Sequence, residues 1–436
     1  MKKGGSMEQK KFGKDFLMVL AGQIISLFGN AVIRFALPLH LLNVTGSAAL
    51  YGSITGIAFL PLIVMTPIGG MIADRINKRN IMVGLDFFTA GLITVFLLLY
   101  GKMDLVALVF VMLFLLYGIS GAYQPAVQSS IPLLVKREAV MSANAWINMV
   151  SSLSGLLGPA LGGVVYHTWG IMPVMAVCMI CFVVSAVMEI FIHIPYVKQA
   201  EKTGLWSTVR SDWKESITYI TKTKPELGKM TICCGVINLF LSSLIMVGIP
   251  VIITQRFQFA GNNNSEMYGF MQAILAVGGL AGGILAGTCS DRLKIQSSWK
   301  FLLTAALSLC PMGMALLLVK SDEIAYIILG ICGFAVMCCA SLYTIQTMSC
   351  IQTETPPELV GKVVAWVIAL ATCAQPVGQI LYGVVFEIMT GAEAWIFLIT
   401  GAVSAGCAVY SRTFLPAAGL QRTDSGKSAP DTGQCK

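Results

Sequence analysis

Long, mainly apolar stretches recur along nearly the whole chain, and they restrict the fold more than any other feature of the sequence. A helix needs roughly 20 mainly apolar residues to cross the hydrocarbon core of a bilayer. Charged residues make up only 11% of the chain, whereas soluble domains carry about 25%, so most of the surface must face lipid. We therefore predict an all-α integral membrane protein with twelve transmembrane helices.

The predicted helices form two groups of six. The first six are placed near residues 15–42, 48–73, 80–100, 105–128, 141–166 and 171–194. The second six are placed near residues 227–255, 265–289, 298–319, 323–349, 361–388 and 393–415. The predicted organisation is a basic cytoplasmic tail at 1–14, an N-terminal bundle at 15–194, a linker at 195–226 with the pattern of an amphipathic surface helix, a C-terminal bundle at 227–415 and a disordered tail at 416–436.

The positions of lysine and arginine predict the orientation, because short cytoplasmic loops carry an excess of these residues. With the N-terminus in the cytoplasm, 25 of the 29 lysines and arginines fall on that side, and only Lys102, Arg256 and Lys320 fall on the other. Arg34 is inside a helix. We predict that both termini are cytoplasmic. The same placement explains the net charge of +8 without a nucleic acid partner.

The two groups of helices are related by an internal repeat. Residue pairs that bound the second span recur around the eighth span at a constant displacement of 217 residues: Tyr51-Gly52 with Tyr268-Gly269, and Asp74-Arg75 with Asp291-Arg292. Residues of the fifth span recur in the eleventh at a displacement of 220: Glu138, Trp146 and Gly163 with Glu358, Trp366 and Gly383. This pattern predicts two pseudo-symmetric six-helix bundles related by a parallel repeat, which in transporters rock about a midplane site.

The loop after the second span combines a glycine pair, an Asp-Arg pair and further basic residues, and a degenerate copy stands in the second half. Its residues are Gly69, Gly70, Asp74, Arg75, Lys78 and Arg79, with Asp291 and Arg292 in the copy. The loop resembles the signature loop of the major facilitator superfamily. The resemblance implies the major facilitator fold. It also implies that Asp74 meets the start of the eleventh helix near residues 356–358, forming a cytoplasmic latch that breaks during transport.

Two other readings bear on this loop. Its basic residues could serve only to fix the topology. Asp86, in the third helix, is expected to pair with the basic residues of the loop and so to belong to the same conformational gate.

The fifth span contains a glycine–proline motif that resembles the one recurring in exporters of this superfamily. Its residues are Gly155, Gly158, Pro159, Gly162 and Gly163. Proline removes a backbone donor and bends a helix, while glycines permit close helix crossings. A generic kinked membrane helix is the alternative.

The first span and the loop after it narrow the resemblance to the bacterial branch that contains macrolide-efflux and siderophore-export permeases. The matching segments are Ala21-Gly22-Gln23, Ser26 to Asn30, Leu37-Pro38 and Thr45-Gly46-Ser47. The resemblance covers roughly residues 15–415 and implies a multi-pass protein of the bacterial cytoplasmic membrane. The chain departs from the family at two places. The fourth helix lacks the expected arginine, where Tyr117 and Gly118 stand, and no acidic residue lies near Asn30.

Arg34 is the leading candidate for a substrate-binding residue, because a charge at mid-bilayer costs at least ~2.5 kcal/mol on insertion scales. It could bind an anionic or carboxylate-bearing solute in a central cavity, or extend to the outer interface. In this superfamily the first, second, fourth and fifth helices of each half usually line the cavity, which implies further polar and aromatic candidates. They are Gln23, Asn30, Tyr117, Tyr123, Gln124, Trp146, Asn148, Asn238, Gln272, Gln346, Trp366 and Gln375.

Structural roles compete with these functional ones. Hydrogen bonding between helices is an equal alternative for any single member of that set. Glu189 and His193, near the cytoplasmic end of the sixth helix, are expected to be solvated or paired.

These observations predict a secondary transporter that exports a small amphipathic solute, such as an antibiotic, a siderophore or a similar metabolite, by alternating access coupled to H⁺ or Na⁺. Import of a small metabolite and movement of a lysolipid are alternatives in the same fold. A membrane-embedded enzyme is disfavoured because His40, His167 and His193 have no metal-ligand spacing to another histidine or cysteine. We expect a monomer in contact with membrane lipid, with no catalytic residue, cofactor, metal or nucleic acid partner.

Overall fold

The computed structural model describes residues 13–136, 139–194, 218–259, 263–288, 295–356 and 359–413. Over these ranges twelve helices are long and apolar enough to cross a membrane, and no strand is present. The first six are α1 (Lys14–Thr45), α2 (Ala48–Arg75), α3 (Lys78–Leu99), α4 (Leu105–Leu134), α5 (Val140–Trp169) and α6 (Ile171–Ile190). The second six are α7 (Pro225–Arg256), α8 (Asn264–Thr288), α9 (Ser298–Leu318), α10 (Asp322–Glu354), α11 (Val360–Ile388) and α12 (Glu393–Ser411). The prediction of twelve spans is confirmed.

Some helix ends differ from the predicted ones. Helices α4 and α10 continue to Leu134 and Glu354, beyond the predicted residues 128 and 349, because a helix continues after its side chains become polar enough to end an apolar window. Helix α6 ends earlier, at Ile190, and residues 192–194 follow it without regular secondary structure. Residues 1–12 of the predicted N-terminal tail, the whole predicted C-terminal tail at 416–436 and residues 195–217 of the predicted linker lie outside the described residues.

Local sequence signals explain the tight connection between α1 and α2. Gly46 ends α1 in the left-handed conformation, with φ of 65°, and its N–H donates to the carbonyl of Leu42 at 2.9 Å. The hydroxyl of Ser47 then accepts the N–H of Leu50 at 3.1 Å and caps α2. Two residues therefore end one span and begin the next.

Helix α3 shows how the helices distribute polar and apolar side chains. Asp86 and Thr89 are 2% and 1% exposed, whereas Phe88 and Leu98 on its outer face are 52% and 62% exposed. Large apolar side chains are likewise exposed on the outer faces of the other spans. This inverted distribution is expected for helices whose outer faces contact lipid.

The chain divides into two compact units, Met1–Glu201 with Asn263–Ala273, and Lys202–Asn262 with Ile274–Lys436. In the first unit α1 packs against α5 and α6, and α3 packs against α4 and α6. In the second unit the corresponding helices pack in the same pairs, α7 against α11 and α12, and α9 against α10 and α12. The repeat seen in the sequence is therefore also a repeat in helix packing.

Helices α2 and α4 cross at Gly69, where an added Cβ would overlap the backbone of Ala122. At the next residue, Gly70, an added Cβ would lie 4.0 Å from the Cβ of Pro125, an ordinary contact. We expect Gly69→Ala to lower the thermal-unfolding midpoint of the purified protein in detergent, because overpacking costs about 1–3 kcal/mol. Gly70→Ala is the matched control and should leave the midpoint unchanged or slightly raised. Equal midpoints for the two variants would contradict this crossing.

Candidate functional site

Arg34 points from α1 towards one face of α4. The central carbon of its guanidinium group lies 4.0 Å from the centroid of the Tyr117 ring. Its Nη2 donates to the hydroxyl of Ser120 at 2.5 Å. Tyr117 and Ser120 are three residues apart and therefore share this face of α4. The arrangement favours the interior placement of Arg34 over extension to the outer interface.

The guanidinium group of Arg34 retains binding capacity. Its buried Nε has no hydrogen-bond partner, and no described carboxylate lies within ion-pair distance of it. Asn30 lies one turn earlier on α1, and its buried Oδ1 is also unpartnered among the described groups. An unneutralised guanidinium beside an aromatic ring can bind a carboxylate or several neutral oxygen atoms through directed hydrogen bonds.

A second polar cluster joins α1, α4 and α6. The Tyr123 hydroxyl donates to Oε1 of Glu189 at 2.7 Å and accepts from Nε2 of Gln23, also at 2.7 Å. The hydroxyl of Ser26 lies 3.5 Å from the Tyr123 oxygen. Gln23 and Tyr123, both predicted site residues, are therefore brought together, but around a carboxyl group rather than around Arg34.

The burial of Glu189 was not predicted. Its side chain is 0% exposed, so of the two expected roles, solvated or paired, the solvated one is excluded, and the carboxyl group is paired with the Tyr123 hydroxyl. Two features explain the difference: the chain after α6 folds back and buries Ile192 and Ile194, and α1 has a glycine at the contact. A Cβ at Gly22 would lie 3.5 Å from both Cγ and Oε1 of Glu189, so Gly22 allows α6 to approach closely.

Asp86 lies beside this second cluster. It is close enough to Glu189 for electrostatic interaction and lies against the Ser185 side chain. The expected pairing with basic residues of the loop is not made by Lys78, whose Nζ donates to the carbonyl of Ala73 at 2.9 Å. Nor does Arg79 form an ion pair with it among the described residues, and the buried Nε of Arg79 has no described hydrogen-bond partner.

The rest of the predicted cytoplasmic latch is only partly described. The side chains of Asp74 and Arg75 lie outside the described part of the chain, as do residues Asp291, Arg292 and Glu358. The latch therefore stays a prediction. The backbone of Asp74 and Arg75 forms the last turn of α2.

The first turns of α8 belong to the first compact unit and pack against α1. The Phe35 and Tyr268 rings stack with their centroids 4.9 Å apart. The side-chain amide of Asn43 donates to the hydroxyl of Ser265 at 3.0 Å. Gln272, a predicted substrate-binding residue, donates to the Tyr268 hydroxyl at 2.7 Å. It therefore holds the ring that stacks on Phe35.

The glycine–proline motif of α5 serves two helix crossings. A Cβ at Gly158 would lie 2.5 Å from the Cβ of Ala31 on α1, and one at Gly162 would lie 3.2 Å from the Phe35 ring. A Cβ at Gly163 would lie 2.8 Å from the carbonyl oxygen of Ser265 on α8. The motif therefore brings α5 against α1 and against the first turns of α8. Gly155 is different, since nothing described lies within 4 Å of a Cβ placed there.

The other predicted site residues of the first unit lie in neither cluster. Trp146 and Asn148 are exposed on α5, and Gln124 is half-buried on α4. In the second unit, Gln346 is 8% exposed with no described partner for its amide, and Gln375 contacts the sulfur of Met246 at 3.6 Å. Asn238 begins the first of two π-helical turns in α7, a deviation that is frequent at functional sites. Trp366 is half-buried on α11.

Sequence reasoning missed Ser120, Ser185 and Ser265. The spacing of Ser120, three residues after Tyr117, could have identified it as a partner of any residue that Tyr117 contacts. Glu189 is the sole charged residue of α6 (Ile171–Ile190), which was a usable signal for a functional carboxyl group. The contact of Ser265 with Asn43 depends on packing between distant segments and had no local signal.

Comparison with known proteins places the chain in a family. The model of the Major Facilitator Superfamily matches residues 19–373. Macrolide efflux protein A of Streptococcus pyogenes is 25% identical over 397 residues, which cover 88% of this chain and 92% of that protein. Macrolide efflux protein A of Enterococcus faecalis is 23% identical, over 76% of this chain and 99% of that protein. The multidrug efflux pump Tap of Mycolicibacterium fortuitum is 26% identical, over 84% and 88%.

Solved structures share the fold at low sequence identity. The peptide transporter POT in complex with sulfate has a TM-score of 0.74 and 12% identity, covering 93% of this chain and 95% of that one. A D-xylose-proton symporter has a TM-score of 0.67 and 15% identity, covering 93% and 98%. The predicted family and the predicted major facilitator fold are thereby confirmed. This chain is a multi-pass membrane transporter that belongs to the major facilitator superfamily.

Proposed function

We propose that the protein is a secondary transporter that exports a small amphipathic solute from the bacterial cytoplasm by alternating access. The observation that carries the proposal is Arg34, an interior cation held by Tyr117 and Ser120, with a free Nε and no described carboxylate partner. A charge placed inside a bilayer at such cost is a functional group by default. Export is supported by the relatives, which include two macrolide efflux proteins and a multidrug efflux pump.

The chemistry around Arg34 suggests what the solute offers. The guanidinium Nε can donate to a carboxylate or to a neutral oxygen. The Tyr117 ring provides apolar surface beside it, and Asn30 adds an amide one turn away on α1. We propose a solute with an apolar body and several oxygen acceptors. A macrolide fits this description and the names of two relatives, and a carboxylate-bearing siderophore fits the description.

The contact of the first turns of α8 with α1 and α5 is proposed as the closure of the outer side. It consists of the Phe35–Tyr268 stack, the Asn43–Ser265 hydrogen bond and the close approach at Gly163. It would open when the solute leaves. The latch residues predicted from the sequence, Asp74 and its basic neighbours, are proposed to close the cytoplasmic side.

Oligomeric state, topology and driving force are also part of the proposal. We propose a monomer in the cytoplasmic membrane with both termini inside the cell. An ion, H⁺ or Na⁺, would supply the driving force.

Accumulation of labelled compounds in cells tests the proposed function. Cells that produce the protein are expected to hold less of a macrolide, or of a carboxylate siderophore, than matched cells with an empty vector, and collapse of the ion gradients should remove the difference. Equal accumulation across a broad panel of amphipathic compounds would defeat the proposal. Higher accumulation in the producing cells would indicate import instead.

A further inference from the structure

We propose that Glu189 and Asp86 form a proton-binding site that couples solute export to proton entry. The inference rests on the proposed function for its coupling role, but the binding of a proton rests on the cluster alone. The site combines two buried carboxyl groups from two helices, with a tyrosine hydroxyl and an amide ordered around them.

Burial is the first argument. Glu189 and Asp86 are 0% and 2% exposed and lie close enough to interact electrostatically. Two ionised carboxylates that neither water nor a cation screens would repel each other strongly. The described groups that hydrogen-bond to the pair, Tyr123 and Ser185, are neutral, and so is Gln23, which donates to the Tyr123 hydroxyl. The pair is therefore stable in this arrangement only with a positive charge added, and a proton is the smallest such charge.

The described charged groups on the helices that pack around the carboxyl pair do not contact it. Asp15, at the start of α1, accepts the backbone N–H of His193 at 3.0 Å. Lys78, at the start of α3, donates to the carbonyl of Ala73. Arg34 on α1 lies eleven residues after Gln23, about 16 Å along the helix. Among the side chains that the structure describes, which leave out Arg75, no cation neutralises the pair.

Unpartnered atoms are the second argument. Oε2 of Glu189, Oδ2 of Asp86 and Oε1 of Gln23 are buried without a described hydrogen-bond partner. Buried oxygen atoms are almost always bonded, and an orphan needs an explanation. A proton on one of these carboxyl oxygens converts it from a hydrogen-bond acceptor into a donor and removes the repulsion between two ionised carboxylates. The binding atoms are therefore Oε2 of Glu189 and Oδ2 of Asp86.

An apolar cluster separates this site from the nearest helix ends. It contains Val19, Ala73, Met82, Tyr123, Ala126, Val127, Ile192 and Ile194, all nearly inaccessible. Ile192 and Ile194 lie just after the end of α6. A small movement of residues 192–194 would therefore admit water to Glu189. The site is thus placed where a local opening controls the exchange of its proton.

The carboxyl pair and the proposed solute site at Arg34 are connected by two helices, α1 and α4, which contribute residues to both. Gln23 and Arg34 both lie on α1, while Tyr123, Tyr117 and Ser120 all lie on α4. A change in the packing of α1 on α4 when solute binds at Arg34 is therefore transmitted to the Gln23–Tyr123–Glu189 chain of hydrogen bonds. Release of the proton to the cytoplasm and uptake of the solute are coupled by this geometry.

Infrared spectroscopy of the purified wild-type protein tests the proton site without any solute. We expect the carbonyl-stretching band of a protonated carboxyl group at neutral pH, and we expect it to weaken or shift in Glu189→Gln and in Asp86→Asn. Glu323→Gln, which changes an exposed carboxyl group at the start of α10, is the control and should leave the band unchanged. A band that is absent from the wild type, or unaffected by both buried-site variants, would overturn the proposal.

Transport in liposomes tests the coupling role. Uptake of a labelled macrolide is measured with and without an imposed pH gradient, acidic inside. The gradient should stimulate uptake by the wild type and by Glu323→Gln, and the stimulation should be lost in Glu189→Gln and Asp86→Asn, whose folding is checked by thermal unfolding. Stimulation retained in both variants, or replaced by a sodium-gradient effect that they abolish, would overturn the assignment. If the wild type moves no macrolide at all, the proposed function fails while the infrared result still decides the proton site.

Discussion

Joining Asn43 to Ser265 through engineered cysteines is expected to stop export completely. The amide nitrogen of Asn43 and the hydroxyl oxygen of Ser265 are 3.0 Å apart, so cysteines at both positions are within reach of a short, reducible thiol-reactive crosslinker. The crosslink would hold the first turns of α8 against α1. If this contact is the outer closure, a solute that enters from the cytoplasm cannot leave.

The experiment compares Asn43→Cys/Ser265→Cys with each single variant, because the chain already contains 13 cysteines. The crosslinker should reduce macrolide efflux by the double variant to the level of empty-vector cells, and a reductant that cleaves the crosslinker should restore it. The single variants should keep their efflux under both conditions. Full efflux by protein whose crosslink is verified by mass spectrometry would show that this contact does not open in the cycle.

Replacing Arg34 with alanine is expected to remove most of the solute affinity. A hydrogen bond to a charged group contributes about 1.5–3 kcal/mol, which corresponds to roughly a ten- to hundredfold loss of affinity. A ligand that binds only the folded protein raises its unfolding temperature. The wild type should therefore show ligand-induced stabilisation by the macrolide or the siderophore, and Arg34→Ala should lose it over the same concentrations.

Three further variants separate the roles of the Arg34 side chain. Arg34→Lys keeps the charge but not the planar arrangement of donors, and should recover only part of the stabilisation. Tyr117→Phe keeps the ring that the guanidinium group contacts and should bind nearly as well as the wild type. Lys102→Ala removes an exposed charge and should have no effect. Wild-type stabilisation in Arg34→Ala would show that Arg34 only packs against α4.

The number and type of the helices could be predicted because the length of an apolar stretch is a local property of the chain. The α1–α2 connection is equally local, since Gly46 and Ser47 carry the end and start signals of the two helices. Arg34 could be identified because a charge within such a stretch is costly wherever it points. Its partner Ser120 depended on the rotation of α1 against α4, which no local pattern specifies.

Glu189 shows the limit of sequence reasoning at this site. Its position near the predicted end of a helix suggested contact with water. In the structure α6 ends at Ile190, Glu189 is fully buried, and Ile192 and Ile194 pack in the apolar cluster that contains Tyr123, the partner of the carboxyl group. Burial of this kind is decided by segments that are far apart in the sequence, here α1, α4 and the chain after α6. The same is true of Asp86, which faces Glu189 rather than Lys78.

Counterflow in liposomes tests most directly whether the protein is a carrier with alternating access. Liposomes that contain purified protein are loaded with unlabelled macrolide and diluted into a trace of labelled macrolide. A carrier exchanges one molecule for another, so the label should rise transiently above its equilibrium level and then fall. A monotonic approach to equilibrium, or entry no faster than into protein-free liposomes, would contradict the account.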